Sequence, residues 1–541
     1  MFVTGLDKRD QQDQSHAMNA VTDELLPDDV ASLQSVVAHE RAALRKAYRE
    51  IEHLREQVRL LTAQRFGRKS EKLATDDDPQ LGLFNEAEAE ASPEDEAEDA
   101  NDPTPVAAHA RRRGHRTPLP ATLPRVDVVH DLAEADKRCP RDGTPLEVMG
   151  EVTSEQLDIV PAVIQVLRHR RLKYACPCCR QTVVTAPLAA QPLPKSQASA
   201  GLLAHIAVAK YVDALPLYRQ VEQFARLGLD ASRQTLAHWM VRCGGLAQPL
   251  INLLRDRLLD SGYLHMDETT VQVLKEPGKT AQSTSYLWVQ QSGERERPVV
   301  LYDYAPTRSG DVPRMLLEGF QGTLQTDGYA GYHAVVAERG LTPLYCFAHA
   351  RRYFVDVLKG LGLNPAKLPP KPPDKARRPL KALGFIRHLY AIEHRVREAT
   401  PDERYQARQT DSLPVLAELR DWLDDTRPKV VPESPLGKAL AYLDRHWHGL
   451  VRYCDDGRLD IDNNRCENAI RPFVTGRKNW LFADTVHGAK ASANLYSLIE
   501  TPNANGLEPY AYLRRVFSRL PAATTIDDIE ALLPWNITLV D

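Results

Sequence analysis

Apolar side chains recur at alternating spacings of three and four from Val30 to Leu61, through Leu33, Val37, Leu44, Ala47, Ile51, Leu54 and Val58. Only Glu40 breaks the series, charged residues fill the other faces, and no Gly or Pro falls between residues 28 and 65. A seam of this period predicts a coiled coil in preference to an amphipathic helix packed on its own domain. Residues 1–27 carry no such pattern and read as disordered. Residues 198–258 read as helical. Inside them, Leu217, Val221 and Phe224 line one helix face, Leu227-Gly228-Leu229 forms a turn, and Ser232 suits an N-cap. That cap would place Arg233, Gln234 and Thr235 on the first turn of a second helix, where a recognition helix meets DNA. Ordinary helical hairpins share the pattern, so both readings stay open.

From Gly262 the texture changes to strands. One apolar run ends in Asp267. Further strands are expected at residues 286–289 and 298–302, then a helix over residues 311–318. Asp327 follows another strand, and LTPLYCFAHARRYF reads as a strand leading into a helix. Three antiparallel strands, a helix and a fourth strand bearing a second Asp predict an RNase H-like fold. Its first and fourth strands are neighbours, so Asp267 and Asp327 would sit side by side. In DIDNNRCENAIRPF, Asp462 can cap a helix that carries Asn463, Glu467 and Arg471 on one face. Glu467 is the third acid. Residues 357–455 read as a helical insertion with a basic, Pro-rich entry, either shaping a DNA channel or forming a solvated accessory domain.

Composition narrows the function. The chain has 541 residues, 43% hydrophobic and 26% charged, enough for several globular domains. No apolar run approaches the roughly 18 residues that span a bilayer, and the polar start offers no secretory h-region. Membrane, secreted and fibrous classes are therefore disfavoured. The net charge of −4 conceals a division. Residues 76–103 hold twelve acids and no Lys or Arg, which leaves a basic remainder suited to a polyanion. The segment RRRGHR brings Arg111, Arg112 and Arg113 together as a phosphate-contacting arm, or as a solvated charge run.

Eight Cys are too few for a disulfide framework. Cys176 and Cys179 form a CxxC knuckle suited to tetrahedral zinc, Cys139 supplies a third ligand, and Asp142 stands where the fourth is expected. Cys178 or His130 are alternatives to Asp142. A zinc-ribbon-like module with Zn2+ as a possible ligand is the expectation. Three converging carboxylates, Asp267, Asp327 and Glu467, would hold two Mg2+ or Mn2+ ions for phosphodiester chemistry. Arg351, Arg352, Arg465, Arg471, Arg477 and Lys478 lie near them in sequence and could hold phosphates. Trp480 could stack on a base near the cleaved end, but the apolar run Trp480-Leu481-Phe482 reads as core. Cys346 and His349 have metal-like spacing, but two ligands are too few, so they read as structural, with the role of His349 open.

The segments RFGRKSEKL, RRRGHRTPLPATLPR, CPCC, HMDET, QTDGYAGY, CFAHARRYF, DNNRCENAIRPFVTGRKNWLF and PYAYLRRVF resemble the transposases of bacterial insertion sequences typified by insertion sequence 66, a DDE group. The resemblance runs from about residue 30 to the C-terminus and implies Asp267, Asp327 and Glu467 as the DDE triad. It departs at Asp142, where family members usually carry Cys. The fold class expected is a multidomain α+β protein. Its segments are a disordered 1–27, coiled coil and basic segment 28–73, acidic linker 74–110, basic arm and zinc-ribbon-like domain 111–195, and helix–turn–helix region 196–260. An RNase H-like core follows over 261–356 and 456–500, interrupted by the insertion 357–455 and followed by a helical tail 501–541. The implied function is binding of terminal inverted repeats, metal-dependent 3′-end cleavage and strand transfer into target DNA. Partners would be DNA, a second copy through residues 28–65, and small accessory proteins of the same element; no membrane is involved. The expected place is the bacterial cytoplasm, on the nucleoid when DNA is bound. The rivals are an RNase H-like nuclease without strand transfer and a DNA-binding regulator with a dead site.

Overall fold

A computed structural model describes residues 163–175, 183–365 and 367–539, with scattered positions at 29, 39, 43, 47, 51, 54, 125–127, 141 and 145. Arg111, Arg112, Arg113, Cys139, Asp142, Cys176, Cys179 and the acidic segment lie outside the described residues, as does most of the heptad seam. Three seam positions are described: Ala47, Ile51 and Leu54 are helical and exposed. Among the described residues no helix is long and apolar enough to cross a membrane.

The chain divides into two compact units. The smaller comprises Glu96–Leu188 and Val221–Ala231. It contains a two-stranded antiparallel ribbon, β1 (Lys173–Ala175) and β2 (Val183–Thr185), with Lys173 opposite Thr185. Arg171 Nε extends the ribbon's bonding by donating to Ala186 O at 2.6 Å.

The larger unit holds four helices before its sheet: α1 (Ala200–Tyr211), α2 (Leu217–Arg226), which runs on into the smaller unit, α3 (Arg233–Leu246) and α4 (Gln248–Leu259). Ser199 and Ser232 cap α1 and α3 by accepting from Leu202 N and Thr235 N, which satisfies donors that a first turn leaves open. The expected cap at Ser232 and a turn with Gly228 at φ +83° are both present. Arg233 and Gln234 are exposed, and Thr235 is half-buried.

The sheet follows: β3 (Tyr263–Lys275), β4 (Thr284–Ser292), β5 (Val300–Ala305), then after α5 (Asp311–Leu316) come β6 (Thr323–Thr326), α6 (His333–Arg339) and β7 (Thr342–Tyr345). Helix α5 ends two residues short of expectation. The chain turns there through Gly319, at φ +85°. The spatial order is β5-β4-β3-β6-β7, antiparallel among the first three and parallel from β3 to β6 to β7. A short strand β8 (Ala483–Thr485) pairs with the far end of β3 at Val273 and Lys275. The fold is mixed α+β with a mixed sheet.

Helix α13 (Asn464–Trp480) crosses β3 and β4, and α14 (Val486–Ala504) lies along β5. Small side chains let α14 approach closely: a Cβ on Gly244 of α3 would stand 2.6 Å from Ala491 Cα. Its hydroxyls close the exposed edge of β5. Tyr302 N donates to Ser497 Oγ at 2.9 Å, and Val300 N to Thr501 Oγ1 at 3.0 Å. Backbone groups that would otherwise recruit another strand are thereby paired. Helices α15 (Pro509–Arg519) and α16 (Ile526–Glu530) end the chain.

Between β7 and α13 run α7 (Phe347–Gly360), α8 (Arg377–Arg395), α9 (Pro401–Ala407), α10 (Leu413–Thr426), α11 (Pro435–Arg445) and α12 (Trp447–Leu450). They do not form a separately solvated module. Leu344 and Tyr345 of β7, Phe354 of α7, Leu389 of α8, Leu419 of α10 and Leu440 of α11 share one buried cluster. Beside Tyr453 of this cluster, Arg408 lies in a π-helical turn (Arg408–Ser412) and is fully buried. It pairs bidentately with Glu393 and donates to the carbonyls of Tyr453, Asp456 and Leu459. The guanidinium thus fixes the segment that leads into α13. Arg408→Met should cost about 3–5 kcal/mol in urea unfolding, because Glu393 and three carbonyls lose their donor inside the protein. Lys275→Met, which removes an exposed pair with Asp484, should leave the midpoint unchanged.

Candidate active site

The strand β3 outruns its neighbour. Pairing with β6 stops at His265 opposite Gln325, while β3 continues to Lys275. Continuing that register by two residues puts Asp267 opposite Asp327, the first residue beyond β6. Asp327 is held by its own turn: its Oδ1 accepts from Tyr329 N at 2.8 Å, and Gly328 has φ +86°. A Cβ on Gly328 would meet the His446 ring at 2.9 Å. The insertion grips the same turn, since Tyr442 OH donates to Asp327 O at 2.7 Å.

Glu467 stands in the first turn of α13 and is 2% exposed. The N-cap is Asn463, not Asp462. Asp462 instead accepts from Asn464 N at 3.0 Å and from the Tyr390 hydroxyl at 2.7 Å. Asn463 ties the helix start to β3: its Oδ1 lies 3.0 Å from His265 Nδ1, and its Nδ2 donates to Met266 O at 3.2 Å. Asp460, just upstream, donates its N–H to Tyr263 OH at 3.0 Å, and its carbonyl accepts from Gln325 Nε2 at 3.0 Å. These bonds bring α13, β3 and β6 to one point.

The three acids feel one another. Burial, then the charges of Glu467, Glu268 and Asp327, push the Asp267 carboxyl well above its ordinary value. Burial raises Glu467 to about 7, with Asp327 adding to the rise and Arg352 and Arg471 opposing it. Neither carboxylate oxygen of Glu467 accepts a hydrogen bond. Its nearest basic neighbours are His349 Nδ1 at 3.4 Å, which burial holds neutral by lowering it to about 4, and Arg352 at 3.7 Å.

The structure sorts the basic candidates. Arg351 is buried, at 7% exposed. Arg465 donates to the carbonyls of Gly293 and Glu294 and lies 3.5 Å from Asp460. Arg477 donates to Thr270 O and to Thr270 Oγ1. These two clamp α13 to the sheet instead of reaching outward. Arg352 is 40% exposed on its side chain, Lys478 is exposed and Arg471 half-buried, so a polyanion can reach them. The expected core run after Trp480 is also corrected. Trp480 is half-buried against Phe473, but Leu481 and Phe482 are 62% and 42% exposed. Leu481 ends α13 at φ +65°, which turns the chain outward before β8.

Sequence reading missed a second layer around Asp327. Glu268 pairs with Arg308 and accepts from Tyr332 OH at 2.6 Å. Arg308 stacks 3.7 Å from the Tyr329 ring centroid, and Tyr329 OH donates to Arg308 O at 3.0 Å. The adjacent acids of HMDET were the available signal. His349, whose role the sequence leaves open, faces Glu467 from the first turn of α7.

A family model described as Transposase IS66 family matches residues 195–491, more than half of the chain. The chain belongs to the IS66 transposase family. Models described as Transposase C of IS166 homeodomain, zinc-finger binding domain of transposase IS66, and IS66 C-terminal element match residues 53–128, 136–180 and 497–535 of the transposase. Relatives include two uncharacterized proteins of Sinorhizobium fredii (strain NBRC 101917 / NGR234). One, y4jD, is 34% identical over 531 residues, covering 95% of this chain and 97% of its own. The other, y4qI, is 31% identical over 524 residues, covering 94% and 93%. No solved structure matches.

Membership in a DDE transposase family implies a divalent cation. Burial first, then the charges of Glu467, Glu268 and Asp327, disfavour the Asp267 anion, and the buried Glu467 carboxylate has no hydrogen-bond donor, so a cation would offset both costs. Ligand atoms of Asp267, Asp327 and Glu467 do not all lie within 4.8 Å of one another. Without metal, Glu467 is strained as an anion. Its ordinary value of 4.5 rises to about 7 on folding, so the folded chain binds more protons than the unfolded one between those values. Stability contributed here falls as pH rises through that window. Glu467→Gln should therefore stabilise the metal-free protein at pH 8, by about 1–3 kcal/mol, and have no such effect below pH 4.5. Thermal unfolding in EDTA at both pH values measures it, and Mg2+ should stabilise wild type more than the variant.

Proposed function

We propose that this chain cleaves the 3′ ends of its element and joins them to target DNA, using Asp267, Asp327 and Glu467 in an RNase H-like core. The convergence of the three acids where β6 ends and α13 begins carries this reading. The sheet order supports it, with the first strand central, its two successors antiparallel on one side and the fourth and fifth strands parallel on the other. On this reading residues 261–356 and 456–500 are the core and 357–455 is an insertion whose Tyr442 buttresses Asp327.

Two divalent cations, Mg2+ or Mn2+, would supply Lewis-acid activation of the attacking oxygen and stabilise the leaving one when bound by Asp267, Asp327 and Glu467. The chain's own residues do the rest. The clamps from Asn463, Arg465 and Arg477 hold Glu467 against β3, so the carboxylates are organised before substrate arrives. Arg352, Arg471 and Lys478 hold phosphates flanking the scissile bond. In the first step a water oxygen attacks phosphorus in line and the 3′ oxygen leaves as a hydroxyl. In the second, that hydroxyl gives up its proton to solvent and attacks a target phosphorus by the same geometry, the target strand's 3′ oxygen leaving as a hydroxyl, so no covalent enzyme intermediate is required.

Arg233, Gln234 and Thr235 at the start of α3, the arm Arg111–Arg113 and the zinc-ribbon-like module read the terminal inverted repeats. Cys139, Asp142, Cys176 and Cys179 are its proposed zinc ligands. Residues 28–65 pair protomers so that two ends are held together, with small accessory proteins of the element as further partners. The test uses full-length protein, Mg2+ and labelled DNA carrying the element's ends. Asp267→Ala should lower nicked and joined products at least about a thousandfold, the equivalent of several kcal/mol of transition-state stabilisation, with DNA binding retained. Equal products from both proteins would overturn the assignment. Nicking without joining would convert the reading to a nuclease.

A further inference from the structure

The first turns of α7 and α13 hold a group of ligand atoms that the proposed chemistry does not use in full. Cys346 is the N-cap of α7, and His349 follows three residues later on the same face. Glu467 faces them from the first turn of α13. One ligand atom from each lies within 4.8 Å of the other two, and among the described residues no other such triple of His, Cys, Asp or Glu exists. The backbone holds the two turns together. Phe347 N donates to Ile461 O at 3.1 Å, and Asn463 N donates to Cys346 Sγ at 3.2 Å.

We propose that Cys346, His349 and Glu467 form a second cation site, selective for a d-block divalent ion of the zinc class, which withdraws Glu467 from the catalytic set when filled. Ligand chemistry supplies the selectivity. Mg2+ seeks oxygen donors, whereas a thiolate and an imidazole favour zinc and its neighbours. Geometry agrees. Tetrahedral bonds of about 2.0–2.3 Å separate ligand atoms by about 3.3–3.8 Å, and His349 Nδ1 stands 3.4 Å from Glu467 Oε1. Three protein ligands leave a fourth position open. His349 Nδ1 and both Glu467 oxygens are buried and make no hydrogen bond, so a cation would satisfy atoms that otherwise lack partners.

Charge balances as well. A divalent ion with one thiolate, one carboxylate and a neutral imidazole leaves no net charge in a buried place. On binding, the Cys346 S–H bond breaks, the proton passes to solvent and a metal–sulfur bond forms, with no change of oxidation state. Arg352, 3.7 Å from Glu467 Oε2, must turn outward, and its side chain is exposed enough to do so. Binding itself does not depend on the proposed function. Only the loss of activity rests on Glu467 being catalytic.

The test titrates metal-free, full-length protein with Co2+ and records the near-ultraviolet thiolate-to-cobalt band. Cys139, Cys176 and Cys179 give a band of their own, so the comparison is between wild type, Cys346→Ser and Cys176→Ser. A component lost in Cys346→Ser and kept in Cys176→Ser is expected. His349→Ala should weaken that component at least about tenfold. Identical spectra for wild type and Cys346→Ser, with the variant shown to be folded by its thermal transition, would overturn the site. The second arm adds stoichiometric Zn2+ to the Mg2+-driven joining reaction. Inhibition relieved in Cys346→Ser is expected; inhibition unchanged in that variant contradicts the sharing of Glu467. Absence of any joining in Mg2+ alone contradicts the transposition chemistry and leaves the cobalt result to stand by itself.

Discussion

Strand β6 stops short of β3, and the candidate site exists because of that mismatch. Two parallel strands of equal length would have covered Asp267 with another backbone. Instead β3 runs beyond its last bridge to β6, at His265, and the chain leaving β6 turns at Asp327 and Gly328. The opening is then roofed by α13. Its first turn brings in a carboxylate that ordinary packing would exclude, since a buried anion without donors is costly. Asn463, Asp460 and Arg465 hold that turn against β3 and the β4 hairpin.

Stability and chemistry are linked through the same contacts. The helical insertion buries Arg408 against Glu393 and three carbonyls just before the segment that carries Asp460, Asn463 and Glu467. It also reaches Asp327 through Tyr442. The insertion therefore positions two of the three acids, and loosening it should disturb the site before the sheet. Burial and the charges of Glu467, Glu268 and Asp327 oppose the Asp267 anion, a cost that a cation at the proposed site would offset.

Much of this was legible in the residues. Strand-like apolar runs located β3 to β7, although β3 continues past Asp267 to Lys275, and the runs ending at Asp267 and preceding Asp327 marked the two acids. Ser232 as a cap was readable because capping is local. What could not be read depends on contacts distant in sequence. Arg465 and Arg477 looked like phosphate ligands by charge, yet their partners are Gly293, Glu294 and Thr270, across the sheet. Cys346 and His349 lacked a third ligand until α13 supplied Glu467 from over a hundred residues away. Leu481 and Phe482 looked like core by composition, but a positive φ at Leu481 turns them outward.

The most direct measurement is anomalous diffraction from crystals of the full-length chain soaked in Mn2+. The account predicts manganese bound between Asp267, Asp327 and Glu467, with the Glu467 carboxylate among its ligands. Manganese held by other residues, or Glu467 left uncoordinated beside an occupied Asp267–Asp327 pair, would contradict it.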